Sequence, residues 1–390
     1  MKIAPFELER WYVQYEFNVK YNISASCGRE TTTAELLAMA GPEATEKYLS
    51  LGLDYTQNPG DPLLRAEIAS QYANLSPDQI QVTTGASEAI FLLMNLLLEP
   101  GDTVIAEAPI YQSLFSVAEA VGANVKRWWL HEEDGWQPDL DELSRLIDSR
   151  TRMVVVNSPH SPTGSVLSRE TRRALVDLAE RHGFWLISDE VYRGIVYNPA
   201  DDLPPAADLS DRAISIGDMT KPYGLGGLRV GWIAAHDRGV LSACSALRDY
   251  TTMCNSAPSE FLATVALQHK EELLARNLTI ARENLATLEA FMEKHREILS
   301  WVKPRGGFTA FPGFNPPMDG GTLGFGEAAG KVMPSQEFCR RLVEVNNVLL
   351  LPGSTFGVEG HFRVGFGQTP KTFKTGLELW SGFLTRLQGL

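Results

Sequence analysis

Between residues 80 and 236 the chain alternates short apolar runs with longer stretches whose apolar positions recur at helical spacing. Residues 80–84, 103–107, 125–130, 153–157, 184–188, 213–216 and 230–234 read as strands, and 87–98, 112–121, 140–147 and 169–181 as helices. The run Met-Val-Val-Val-Asn ending at Asn157 is apolar at consecutive positions, the pattern of a strand buried on both faces. Strands that alternate with helices predict an α/β fold with a mostly parallel central sheet covered on both sides. On such sheets ligands sit at the carboxyl ends of the strands, so the loops that follow strands carry the candidate chemistry.

Beyond this region, 258–299 reads as one or two long helices, from the spacing of Leu262, Leu267, Leu273, Leu274, Leu278, Leu285 and Leu288 with charges between them. The remainder mixes strand signals at 308–311, 348–351 and 362–366 with a helix at 337–345 and a final helix. The expected organisation is an N-terminal segment, 1–30, packing on a small domain, a large domain over 31–295, and the small α/β C-terminal domain over 296–390. The Pro/Gly-rich stretch 311–330 is the best candidate for a long functional loop.

A chain of 390 residues with 44% hydrophobic and 21% charged residues is globular and long enough for two domains. Its 35 basic against 48 acidic residues leave a net charge of −13, which repels nucleic-acid backbones; no nucleic-acid partner is expected. A local basic pocket for one small anion remains compatible with that charge. The four cysteines, Cys27, Cys244, Cys254 and Cys339, are scattered, with neither a C-x-x-C pair nor zinc spacing. They read as free thiols of a cytoplasmic protein that holds no metal. The apolar run 89–98 is too short to span a bilayer, and residues 1–15 have no signal-peptide core.

The sharpest motif is Ser-Ile-Gly-Asp-Met-Thr-Lys-Pro-Tyr-Gly-Leu-Gly-Gly-Leu-Arg-Val-Gly-Trp, residues 215–232. A lysine, Lys221, follows a strand and a hydroxyl residue, and an arginine, Arg229, comes eight residues later across three glycines. In Thr-Thr-Gly-Ala-Ser-Glu-Ala, residues 83–89, small residues at a strand–helix junction let backbone N–H groups approach an anion. Ser-Asp-Glu-Val-Tyr-Arg, residues 188–193, places an acid at the end of a buried strand, where it needs a partner.

Together these motifs resemble the fold-type I PLP-dependent enzymes of the aminotransferase class I/II family, in the family's order, from about Tyr55 to Phe366. The resemblance implies a pyridoxal 5′-phosphate (PLP) cofactor and an amino acid substrate. Lys221 matches the lysine that binds the cofactor covalently. To act as a nucleophile it must be neutral, so a depressed pKa is expected. Arg229 and Thr220 match the phosphate ligands, with Gly85, Ala86 and Ser87 as the phosphate loop. Tyr111 matches the aromatic that stacks on the ring, Asp189 the partner of the pyridine nitrogen, and Tyr192 the donor to the phenolic oxygen. Tyr55 matches a tyrosine that reaches the partner subunit's phosphate, which implies a homodimer with shared sites. Arg363 matches the arginine that binds the substrate α-carboxylate.

Two positions depart from an ordinary transaminase. Ser161 stands where an asparagine contacts the phenolic oxygen. Asp218 stands where a serine or threonine faces the phosphate; it must turn away, meet a cation or act as a cap. The N-terminal segments Leu-Glu-Arg-Trp, 8–11, and Asn-Ile-Ser-Ala-Ser-Cys-Gly, 22–28, resemble the capreomycidine synthase branch of the family, which cyclises a hydroxylated arginine. So do the segments at 247–251 and 304–312. This second resemblance carries over Glu9 and Ser24 as substrate-binding candidates, a carboxylate being matched to a guanidinium. The implied reaction is elimination with ring closure, the alternative an ordinary transamination with a 2-oxo acid.

Overall fold

The computed structural model describes residues 2–314 and 334–388. Within the stretch 311–330, residues 315–330 lie outside the described residues.

Seven strands form the central sheet, in the order Ile80–Thr83, Gly231–Ala235, Ala213–Asp218, Trp185–Asp189, Thr151–Asn157, Thr103–Ala108 and Asn124–Trp129. Neighbours are parallel except at Gly231–Ala235, which runs antiparallel to the strands on either side. Side chains alternate between the faces. Met153, Val155, Ile187 and Ile214 join one core with Ala89, Leu92 and Leu93 of helix Gly85–Leu97. Val154, Val156 and Leu186 join another with Leu175, Val176 and Ala179 of helix Arg169–His182. Burial on both faces is why these strands read as continuous apolar runs. Helix Arg169–His182 starts where Ser168 accepts the Thr171 N–H and stops at Gly183 in the left-handed region.

The expected long helical stretch is two helices, Ala257–Gln268 and Lys270–Lys294, parted at His269, whose ψ of 22° breaks the run. Its last residues differ from expectation: Leu299–Ser300 is a strand paired with Gly313–Phe314. The run at 348–351 also splits. Val348–Leu349 pairs with the N-terminal Tyr21–Asn22, while Leu351–Pro352 pairs with Phe362–Gly365. An unbroken apolar run carries no sign of a change of partner in its middle.

The strand Phe362–Gly365 lies between Thr309–Ala310 and Leu351–Pro352. Helices Ser335–Asn346 and Pro370–Gln388 cover this sheet through an aromatic core in which the Phe338 and Phe362 rings lie 4.8 Å apart. Residues 23–28 run along it so closely that a Cβ at Gly365 would lie 1.7 Å from the Ala25 carbonyl oxygen. The N-terminal segment thus passes from the C-terminal sheet to the turn that carries Lys221, where the Gly28 N–H donates to the Lys221 carbonyl at 2.9 Å.

Candidate active site

Lys221 sits in the short helix Thr220–Tyr223, directly after the strand that ends at Asp218. Gly224 closes the turn with φ +67°, and a Cβ there would lie 1.9 Å from the Arg29 carbonyl oxygen. A glycine is required for the N-terminal segment to pass. Lys221 Nζ donates to Ser26 Oγ at 3.2 Å. Burial pushes its ammonium down, but Tyr192, Cys27, Asp218 and Tyr111 outweigh it, and the net direction is up. This corrects the expected depression. The groups around the amine are acidic, not the cations that would drive off its proton.

Asp189 ends the neighbouring strand and is buried. Its Oδ1 accepts the Val191 N–H at 3.2 Å, and no cation lies within ion-pair distance among the described residues. Burial first, then the charges of Asp218 and Glu190, push its carboxyl up to about 7. Asn157, on the adjacent strand, ties the two loops together: its amide donates to the Asp189 carbonyl at 2.9 Å and its Oδ1 accepts the Ser161 N–H at 2.7 Å. Behind it Glu107 accepts the Asn157 N–H at 2.8 Å and is pushed up to about 8 by burial. Ser161 and Tyr192 are both buried. Glu190 faces elsewhere, accepting from Arg172 and from the Ala206 N–H, both at 2.8 Å.

Gly85, Ala86 and Ser87 form the first turn of helix Gly85–Leu97. Gly85 has φ +75°, and a Cβ there would lie 2.5 Å from Arg229 Nη2. The arginine head therefore rests on the helix start. Arg229 donates to the Gly226 carbonyl at 3.2 Å and has no carboxylate partner among the described residues. Asp218, only 6% exposed, accepts the Ala86 N–H at 2.8 Å and also the Thr220 N–H. It is a cap, as one of its sequence readings allowed, but an interior one. A network that sequence reasoning missed supports this corner. Arg248 is fully buried against Glu88, and Asn255, which Arg248 also contacts, donates to the Thr83 and Arg229 carbonyls at 3.0 and 3.2 Å. Tyr55 lies apart from these groups on the surface, 79% exposed, near the anchor of Thr56 on the Asn255 carbonyl.

On the opposite side, Arg363 is 3% exposed and donates to the Tyr12 hydroxyl at 2.7 Å and to the Ser24 carbonyl at 3.2 Å. It too has no carboxylate partner among the described residues. Ser24 is fully buried; its hydroxyl donates to Asn22 Oδ1 at 2.8 Å and lies 3.1 Å from the Tyr12 hydroxyl. Its contacts therefore run through Tyr12 and Arg363. Tyr111, stacked at a tilt on Phe6 with centroids 4.8 Å apart, donates to Glu9 Oε1 at 3.2 Å, and burial with the Glu9 charge pushes it up to about 12. Glu16, just past helix Glu7–Tyr15, is pushed up by burial and by Glu9, against the pull of Lys221 and Arg363. Glu9, Tyr12 and Glu16 are spaced i, i+3, i+7 and share one flank of the helix. That spacing could have flagged Tyr12 and Glu16. For Ser26 no sequence signal stood out.

These residues fit PLP. A phosphate needs a helix start and an uncommitted guanidinium, which Gly85–Ser87 and Arg229 provide. A protonated pyridine nitrogen needs a buried carboxylate without a cation, which Asp189 is. Two tyrosines and an amine, Tyr111, Tyr192 and Lys221, act on one another electrostatically between them. No group of three or more His, Cys, Asp or Glu side chains is arranged for a metal among the described residues, and none of their helices is long and apolar enough to cross a membrane.

The chain is similar to several known proteins. Capreomycidine synthase of Streptomyces vinaceus is 34% identical over 372 residues, 95% of this chain and 91% of that protein. A solved PLP-dependent aminotransferase from Streptococcus suis superposes with a TM-score of 0.90 at 34% identity, covering 99% of both chains. The PLP-dependent cyclase OrfR superposes with a TM-score of 0.88 at 34% identity, over 99% of this chain and 98% of its own. These likenesses identify a fold-type I architecture. The family description "Aminotransferase class I and II" matches residues 40–378, and the chain belongs to that family of PLP-dependent enzymes.

Proposed function

We propose that the enzyme acts on an L-amino acid with a cationic side chain, and that a hydroxylated arginine loses its hydroxyl as water and closes a ring through a guanidine nitrogen. The observation that carries this reading is the pair of carboxylates, Glu9 in helix Glu7–Tyr15 and Glu16 at its C-cap, with Glu9 held by Tyr111 and Glu16 within electrostatic reach of Lys221 and Arg363. Once Arg363 binds an α-carboxylate, these two acids are left partly buried without a cation, and a guanidinium supplies one. Kinship with capreomycidine synthase and with the cyclase OrfR supports the same chemistry.

In this reading Lys221 holds the cofactor, and Asp189, Tyr192, Ser161 and Tyr111 hold its ring. Arg229, Thr220, Gly85, Ala86 and Ser87 hold its phosphate. Bound PLP supplies an electron sink for charge at the α-carbon. Arg363, steadied by Tyr12 and Ser24, fixes the α-carboxylate, and Glu9 with Glu16 orients the guanidinium toward the carbon that carries the hydroxyl. Lys221 Nζ, freed when the substrate amine takes its place, takes the proton from the α-carbon, the hydroxyl leaves with that proton as water, a guanidine nitrogen bonds to the vacated carbon and gives up its own proton, and that proton returns to the α-carbon. No amino acceptor is consumed.

The protein is proposed to act as a homodimer. Support comes from Leu49 at the end of helix Pro42–Leu49 and from Leu53, Tyr55, Tyr250 and Met253, large apolar side chains left exposed on two neighbouring stretches. We also keep the division into an N-terminal segment, a large domain over 31–295 and a small domain over 296–390.

The test is incubation with a panel of amino acids, hydroxylated arginines included, without any 2-oxo acid. Mass spectrometry should find loss of water with the α-nitrogen retained. Turnover that depends strictly on a 2-oxo acid, with a product lacking its amino group, replaces the cyclase with an aminotransferase. The Streptococcus suis structure favours that second reading.

A further inference from the structure

Asp218 places an anion where the cofactor brings one. The Ala86 N–H belongs to the first turn of helix Gly85–Leu97, whose leading donors have no partner inside the helix. Such donors attract phosphate. In this chain one of them is already taken, by Asp218 Oδ2 at 2.8 Å, while Oδ1 takes the Thr220 N–H at the start of the lysine turn. One carboxylate thus bridges the phosphate loop and the segment that carries Lys221. The arginine that rests on Gly85 forms no ion pair with Asp218 among the described residues, and the cation that feels the Asp218 charge is Lys221.

We infer that Asp218 is an internal stand-in for the cofactor phosphate: it holds the loop and the lysine turn together when the cofactor is away, and gives up the Ala86 N–H when the phosphate arrives. A phosphate ester carries roughly −1.5 to −2 charges at neutral pH. Two anions cannot share one N–H, and like charges this close oppose each other. The charge at position 218 therefore sets how tightly the cofactor is held. Asp218 trades affinity for a site that keeps its shape while empty. A serine there would add a donor to the phosphate but could not bridge both backbone N–H groups.

This inference rests on the proposed phosphate site, and its test separates the two. The full-length protein, freed of cofactor, is titrated calorimetrically with pyridoxamine 5′-phosphate, which cannot bond covalently to Lys221, and with pyridoxamine, which lacks the phosphate. Asp218→Asn keeps the size and one acceptor. Asp218→Ser removes the bridge. Both should bind pyridoxamine 5′-phosphate about tenfold or more tightly than the parent, the lower end of what one neighbouring like charge does. Their affinity for pyridoxamine should not change. Without any ligand, Asp218→Ser should melt at a lower temperature than Asp218→Asn. Unchanged or weaker binding of pyridoxamine 5′-phosphate by Asp218→Asn overturns the inference. So does an equal gain for pyridoxamine, because the charge would then be acting on the ring through Asp189. Arg229→Ala tells the two failures apart. If it weakens pyridoxamine 5′-phosphate while Asp218→Asn does not tighten it, the stand-in role alone is wrong. If Arg229→Ala has no effect either, the phosphate site is misplaced and the inference falls with it.

Discussion

Gly85→Ala tests the phosphate corner at its tightest point. Gly85 has φ +75°, and an alanine in that region costs roughly 1–2 kcal/mol of stability. The added Cβ would stand 2.5 Å from Arg229 Nη2, against ordinary contact from 3.4 Å, so the guanidinium must retreat by about 0.9 Å. The clash itself is cheap, because the far end of an arginine moves easily. What is lost is its position over the helix start. One charged hydrogen bond to the phosphate is worth about 1.5–3 kcal/mol, so cofactor affinity should fall roughly 10- to 150-fold. Gly227→Ala is the control. It lies in the turn Gly226–Leu228 just before Arg229, is exposed, and its Cβ would meet nothing within 4 Å. Thermal melting of the cofactor-free protein measures the first loss, and calorimetric titration with pyridoxamine 5′-phosphate the second. If Gly85→Ala binds that ligand as tightly as Gly227→Ala, Arg229 does not clamp the phosphate and the corner has been misread.

Borohydride treatment of the PLP-loaded protein should fix the cofactor to Lys221 alone, and Lys221→Ala should abolish turnover while leaving the melting curve intact; peptide mapping that finds another lysine refutes the assignment. Asp189 gives a pH prediction. A carboxyl raised to about 7 by folding withdraws stability from the cofactor-free protein as pH climbs from its unfolded value near 4 through 7, and the loss is complete above that. Asp189→Asn should therefore melt higher than the parent at pH 8, by roughly 1–4 kcal/mol, and equally at pH 4, while losing cofactor affinity; the same melting curve at pH 8 would show that Asp189 meets a cation even without PLP. Glu9→Gln should weaken a basic amino acid by about 1–3 kcal/mol in spectral titration, with Glu16→Gln acting in the same direction, and neither should affect a neutral amino acid. Equal losses for both substrates would make these acids structural. Sedimentation should give a dimer, and Tyr55→Ala should weaken cofactor binding only in that dimer; an active monomer would remove Tyr55 from the site.

Much of this protein is legible from its chain alone. The parallel sheet, its covering helices and the loops at its carboxyl ends follow from local periodicity, because a strand buried on both faces must be apolar throughout and a covering helix apolar on one stripe. Gly85 beside Ala86 and Ser87, and Lys221 eight residues before Arg229, are short-range patterns whose geometry the backbone enforces nearby. The joins between distant segments were not legible. Tyr12 meets Arg363 across 351 positions, Arg248 supports the phosphate loop from 160 positions away, and Ser26 touches Lys221 across 195. No periodicity records such pairs, since each depends on which surfaces pack once the elements exist. The charge state of the site belongs to the same class. The Lys221 pKa was expected to be depressed by burial and nearby cations and is instead pushed up, because folding surrounds the amine with Tyr192, Cys27, Asp218 and Tyr111. A sequence states which groups can ionise, but their distances from one another, and the water left between them, exist only in the folded chain.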